Sequence, residues 1–172
     1  LGNTFTSINR HAIYLSAGTR NSLVTGNTID TVVNPSAAIL LSAVAGQSAN
    51  EDNIVSNNTI LNAGIGIQVN ELSHYTLVMG NKLKRISDTP MFISNDGGAS
   101  SARHPLGTVI CNNDFQSDGV SFNNLISLFD NDGTIICHNT GRVTSLAGSA
   151  GSLVNVQSVD STYTAAVFGF VA

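Results

Sequence analysis

Three acidic residues follow short apolar runs: Glu71 after "IQVN", Asp96 after "FISN" and Asp132 after "LFDN". Aligned on those runs, they occupy one position in three successive segments. If the segments stack as neighbouring strands, adjacent carboxylates stand about 5 Å apart and the outer pair about 10 Å. Such separations suit the paired carboxylates of retaining and inverting glycoside hydrolysis, one serving as acid and the other as base or nucleophile. Asp130, Glu51 and Asp52 are nearby alternatives. Glu51, Asp52, His74, Arg103 and His104 are candidates for holding a substrate, and Arg103 and His104 could grip a sugar carboxylate or shift a neighbour's pKa. The same acids also have a purely structural reading, because "NDGG" and "NDG" are ordinary turn sequences.

Whatever positions these groups must be built from short pieces. Apolar runs of three to five residues ("AIYLS", "AILLS", "GIQVN", "MFISN", "LISLF", "LVNVQ") recur through the chain, too short for helices and right for strands. Between them lies a second recurring phrase, as in "NSLVTGNTID" at 21–30 and "DNIVSNNTIL" at 52–61. Aligned on its asparagine, the phrase has six copies, at Asn3, Asn27, Asn58, Asn81, Asn113 and Asn139, with intervals of 24, 31, 23, 32 and 26 residues. A short unit repeated with occasional insertions is the pattern of a solenoid.

The columns of the repeat are consistent. Two residues after the asparagine stand Phe5, Ile29, Ile60, Leu83 and Phe115, with Gly141 as the exception. Four before it stand Leu23, Ile54, Leu77, Val109 and Ile135. Stacked at the strand spacing of about 4.8 Å, the asparagine amides can bond to one another in a ladder. Gly2, Gly26 and Gly80, or Asn57 and Asn112, precede the ladder residue and supply the left-handed backbone of a corner. His138 breaks that column.

The column three before the asparagine, Val24, Val55, Val78, Ile110 and Ile136, is apolar too. Adjacent strand residues point to opposite faces, so one column fills the core and the other is left outside. The expectation is that the Val24 column forms an outer apolar stripe about 20 Å long, given a rise of about 4.8 Å per strand. Either a flanking segment of the chain or other subunits would cover it. Cys111 and Cys137 lie two places before the ladder asparagine on neighbouring repeats, within disulfide reach. Leu1, Thr25, Ser56 and Met79 share their column, which reads as small or apolar core positions holding free thiols. No histidine stands at zinc-ligand spacing from them, and the sequence implies no metal and no cofactor.

The phrase "N-x-I-V-x-G-N-x-I" and its columns resemble the right-handed parallel β-helix of the pectate-lyase-like superfamily, over nearly all of residues 1–157. The fold expected is therefore all-β, a right-handed parallel β-helix solenoid of about six coils with three short strands each. Residues 1–144 would form the coils, and 145–172 a last rung with a capping or oligomerisation segment. The nearest likeness is to the C-terminal β-helical part of a bacteriophage tailspike. That resemblance implies a homotrimer through the apolar stripe, located in the virion or otherwise secreted, that binds and hydrolyses bacterial surface polysaccharide. A non-catalytic adhesive β-helix, or a fragment of a secreted polysaccharide lyase or epimerase, are the alternatives. The "NTD", "GHG" and "RIK" set of polygalacturonases is missing, as is the acidic calcium cluster with a basic partner found in pectate lyases.

The long repeats also share a feature. "AVAGQSANED" (43–52) and "GGASSARHPLG" (97–107) both extend the same corner, with only "ELSHY" between them, and are expected to wall a groove floored by Glu71 and His74. A net charge of -4 with no basic cluster gives no footprint for nucleic acid, and no apolar run is long enough to span a membrane. The opening "LGNTFTSI" starts within a repeat phrase and carries no signal-peptide pattern, so the chain is expected to be the C-terminal part of something longer.

Overall fold

The computed structural model describes residues 2–44, 46–95, 103–121, 123–142, 152–157 and 165–168, and within them the side chains of all but residues 34, 152 and 165–168. The described residues form strands and connections, with no helix.

Every named strand pair is parallel. One sheet runs in the order β3 (Leu23–Thr25), β6 (Ile54–Ser56), β9 (Leu77–Met79), β12 (Val109–Cys111), β15 (Thr134–Cys137) and β18 (Ala165–Phe168). A larger curled sheet is built around two long strands, β4 (Thr28–Leu41) and β7 (Thr59–Asn70). Their first halves pair with β1 (Thr4–Ile8) and β10 (Lys82–Lys84), and β10 is followed by β13 (Asp114–Gln116) and β16 (Thr140–Arg142) to make one wing. Their second halves pair with β2 (Ile13–Leu15) and β11 (Thr89–Ser94), and β11 is followed by β14 (Asn124–Phe129) and β17 (Ser152–Gln157) to make the other. A short pair, β5 (Asn50–Glu51) and β8 (Ser73–His74), completes the set. The expected rung "LVNVQ" is β17, and β18 extends the smaller sheet beside β15.

The sequence columns are the register. Phe5, Ile29, Ile60, Leu83, Phe115 and Gly141 are successive Cα partners, and Ile29, Ile60, Leu83 and Phe115 have no exposure. Ile13, Ile39, Ile67, Met91, Ile126 and Val154 form the matching column of the second wing. With the Val24 column these side chains make one core cluster, walled by the two wings and the smaller sheet. Burying each Ile or Val there is worth about 1.5–3 kcal/mol, and β-branched side chains suit a pleated wall covered on both sides.

The asparagine ladder is continuous. Asn27 Nδ2 donates to Asn58 Oδ1 at 2.9 Å, and the steps Asn58 to Asn81, Asn81 to Asn113 and Asn113 to Asn139 are each 3.0 Å. Each Oδ1 also accepts the backbone N–H of the asparagine before it, as from Asn58 to Asn81 at 3.0 Å. The left-handed backbone falls on the preceding residue, with φ of 64° to 68° at Gly2, Gly26 and Gly80 and of 52° to 55° at Asn57, Asn112 and His138. His138 thus continues the corner: its side chain differs and its backbone does not.

The outer stripe is on the other column. Val24 is 8% exposed and Val55, Val78, Ile110 and Ile136 are fully buried in the core, whereas Leu23, Ile54 and Ile135 are 61%, 37% and 41% exposed. Alternation was certain and its phase was not, because both columns are aliphatic. The phase follows from the ladder: Asn58, Asn81 and Asn113 reach inward to donate to the carbonyls of Val24, Val55 and Val78. Thr25, Ser56, Met79, Cys111 and Cys137, two residues along from the Leu23 column, therefore also face outward, and both cysteines are half-buried free thiols rather than core side chains.

Candidate functional site

At the corner after β7, strand register sorts the acids differently from the sequence alignment. Asn70 pairs with Ser94, and Ser94 with Phe129. The next positions are therefore Glu71, Asn95 and Asp130, stacked in one column, with each backbone N–H donating to the carbonyl of the neighbouring strand's last residue at 3.1–3.2 Å. The asparagine of "VN", "SN" and "DN" marks three different positions, since the register is set by the core residues Val69, Ile93 and Leu128. Asp96 lies outside the described residues. Asp132 does not stack with Glu71; it bridges to Leu106, which bridges to His74.

Glu71 and Asp130 are two strand spacings apart along this column, about 10 Å. Both are buried, Glu71 at 6% exposure, and Glu71 Oε2 has no hydrogen-bond partner among the described residues. An oxygen left dry and unbonded in this way is costly unless something else meets it.

A second cluster lies on the β5–β8 pair. Glu51 pairs in register with His74, and Arg20 Nη2 stands 3.4 Å from Glu51 Oε2. Burial lowers the His74 pKa below 6.5; Glu51 pulls it back up and the nearby His104 pushes it further down. Glu51, His74 and His104 are thus brought together. Arg103 contributes its carbonyl, which accepts the Leu72 N–H at 2.9 Å. Asp52 is an exposed corner residue with φ 54°, in line with Asn21, Tyr75, Gly107 and Gly133, all at positive φ. The insertion at 43–52 is tied to the repeat before it, and much of the other expected wall, 97–107, lies outside the described residues. Gly18 donates to the Ser48 carbonyl at 2.9 Å and Thr19 to Asn50 Oδ1 at 3.1 Å, so the loop folds onto the repeat before it.

Sequence reasoning missed a groove of about 410 Å³ on the outside of the second wing, lined by Arg10, His11, Pro35, Ser36, Leu40, Ile65, Gln68, Asn70 and Phe92. Its floor is the outward column Leu40, Gln68, Phe92, in register across β4, β7 and β11. Leu40, Ala37 and Ile65 pack with Phe92 as an apolar cluster separate from the core. The rim comes from an irregularity in β4, where Val32 to Ala37 spans what Ala63 to Ile65 spans in β7. The surplus residues bulge outward, as extra residues in a paired strand must. Beside the bulge His11 is anchored by a 3.0 Å hydrogen bond between Nδ1 and the Ala37 carbonyl, and its ring lies 5.9 Å from that of Tyr14, which is 49% exposed. Arg10 is exposed and makes no ion pair among the described residues. The available signal was the third position of "AILLS" and "GIQVN" and the second of "MFISN", together with "NRH" and "NPS".

No protein-family model, curated protein or solved structure matches this chain.

Proposed function

We propose that the chain is a right-handed parallel β-helix of about six coils with three short strands each, and that it acts as the β-helical part of a tailspike-like protein binding bacterial surface polysaccharide, capsule or O-antigen. The groove over Leu40, Gln68 and Phe92 carries this reading. A sugar ring has an apolar face of C–H groups and a rim of hydroxyls. An apolar, aromatic floor with a few polar groups at its edge matches both. The amide of Gln68 can donate and accept at adjacent hydroxyls, and Arg10 offers a guanidinium to an acidic sugar. The parallel stack repeats its outward positions at the strand spacing, which suits a polymer lying along it.

Hydrolysis requires more than the groove. No carboxylate lines the groove among the described residues, so acid and base would come from Glu71 with Asp96, or from Glu71 with Asp130 at the corner. The missing carboxylate favours a second reading, a non-catalytic adhesive β-helix. Release of reducing ends from capsular or O-antigen polysaccharide supports hydrolysis if Glu71→Gln abolishes it, and unsaturated uronate products would indicate a lyase. Retention on a bacterial glycan array with no cleavage leaves binding alone. No retention of any polysaccharide refutes the reading.

The proposed assembly is a homotrimer in a phage virion, associating through the outward column of Leu23, Ile54, Leu77, Val109 and Ile135. Exposure of 61% at Leu23 and 41% at Ile135 is unusual cover for aliphatic side chains aligned in one row. Light scattering on the wild type and on Ile54→Lys tests it: a trimer that the substitution dissociates supports the assembly, and a monomeric wild type contradicts it.

A further inference from the structure

Cys111 and Cys137 are Cα partners on the neighbouring parallel strands β12 and β15. The residues before them, Ile110 and Ile136, fill the core, so both thiols stand on the outer face, half-buried and free. The sequence holds no other cysteine. Directly paired strands hold their Cα atoms about 4.8 Å apart, inside the range of about 4.4–6.8 Å that a disulfide spans. Parallel partners project their Cβ atoms side by side. The Cβ separation therefore stays near the strand spacing, longer than the roughly 3.8 Å a relaxed disulfide prefers. A bond here closes with local pinching of the two strands, and bonds of that kind are readily reduced.

We propose that Cys111 and Cys137 form a reversible oxidative modification site, a disulfide clasp between adjacent strands made by a low-molecular-weight disulfide such as oxidised glutathione and opened by reduced glutathione. One cysteine gives its proton to solvent, and its thiolate attacks a sulfur of oxidised glutathione. That S–S bond breaks and one glutathione leaves as thiolate, giving a mixed disulfide. The second cysteine then loses its proton and attacks the protein sulfur of the mixed disulfide, expelling the second glutathione. The two cysteines give up two electrons and two protons, and one oxidised glutathione becomes two reduced ones. Thiolate is the attacking species, and burial, with Cys137 alongside, holds the Cys111 pKa above its ordinary value. The exchange consequently speeds up as pH rises above neutral. The clasp joins two strands of the same chain, so cover by other copies changes its rate and leaves its product the same.

The test is incubation of the folded protein with oxidised glutathione at mildly alkaline pH, followed by thiol titration and intact-mass measurement. Wild type is expected to lose both thiols and the mass of two hydrogens, without cross-linking between chains, and to regain both thiols with dithiothreitol. Cys111→Ser and Cys137→Ser are each expected to stop at the mixed disulfide and keep one glutathione. Serine is tolerated in this column, since Ser56 already occupies it. Two retained glutathiones on the wild type, two persistent free thiols, or chains cross-linked to one another would each overturn the proposal.

Discussion

Replacing Asn81 by alanine tests the ladder where it is most deeply set. Asn81 is 1% exposed. Its Nδ2 donates to Asn113 Oδ1 at 3.0 Å and to the carbonyls of Val55 at 2.9 Å and Met79 at 3.2 Å, and its Oδ1 accepts from the Asn58 backbone and side chain, both at 3.0 Å. Alanine removes all five. Asn58 Nδ2 keeps its bond to the Val24 carbonyl, and Asn113 Oδ1 keeps the Asn81 backbone N–H. The buried Asn58 N–H is left without its acceptor, at about 1–3 kcal/mol, and the four other lost bonds add about 1 kcal/mol each, for a total of about 5–7 kcal/mol. Asn3 is the control. It is exposed and its side chain only donates, to Asn27 Oδ1 at 3.2 Å, so Asn3→Ala should cost under about 1 kcal/mol. Urea unfolding followed by circular dichroism measures both. Equal losses at the two positions, or a loss under about 1 kcal/mol at Asn81, would show that the ladder is not what satisfies this corner.

Three further outcomes follow from the packing and electrostatics. Ile110→Ala should cost about 2–5 kcal/mol, as core truncations do, and Ile54→Ala on the outer column under about 1, measured by the same unfolding experiment; comparable losses would mean the inward and outward columns are misassigned. In Gly66→Ala the new methyl meets the Pro90 carbonyl oxygen and Leu83 Cδ2, so β11 has to shift; a fall of about 3 kcal/mol is expected, and an unchanged thermal midpoint contradicts that packing. For His74, whose folded pKa lies below 6.5, the unfolded chain takes up the proton first as pH falls. Its contribution to stability is complete above pH 6.5 and is lost as pH drops through the lowered folded value. His74→Gln should flatten the thermal midpoint over that acidic range, and Glu51→Gln should move the His74 NMR titration still lower.

How much of this was legible in the sequence depends on what a residue's type can encode. The asparagine column and the Phe5–Ile29–Ile60–Leu83–Phe115 column could be read directly, because an amide stack and a core wall each demand one kind of residue at one place. Val24 and Leu23 defeated the reading because both are aliphatic, and only the direction of the ladder amides assigns one to the core. Asp132 was misaligned by two positions, because the eye follows asparagine where the register follows Val69, Ile93 and Leu128. The groove at Phe92 depends on a bulge in β4 and on residues from four repeats. Such an object has no signature in any single stretch of sequence.

The central claim is that polysaccharide lies in the groove over Phe92, and calorimetric titration with oligosaccharides cut from capsule or O-antigen tests it most directly. Using wild type and Phe92→Ala, the account predicts saturable binding that the substitution weakens by about tenfold or more, roughly 1.4 kcal/mol. The unfolding midpoint should stay nearly unchanged, since Phe92 packs outside the core. Equal affinity in the two proteins would contradict it.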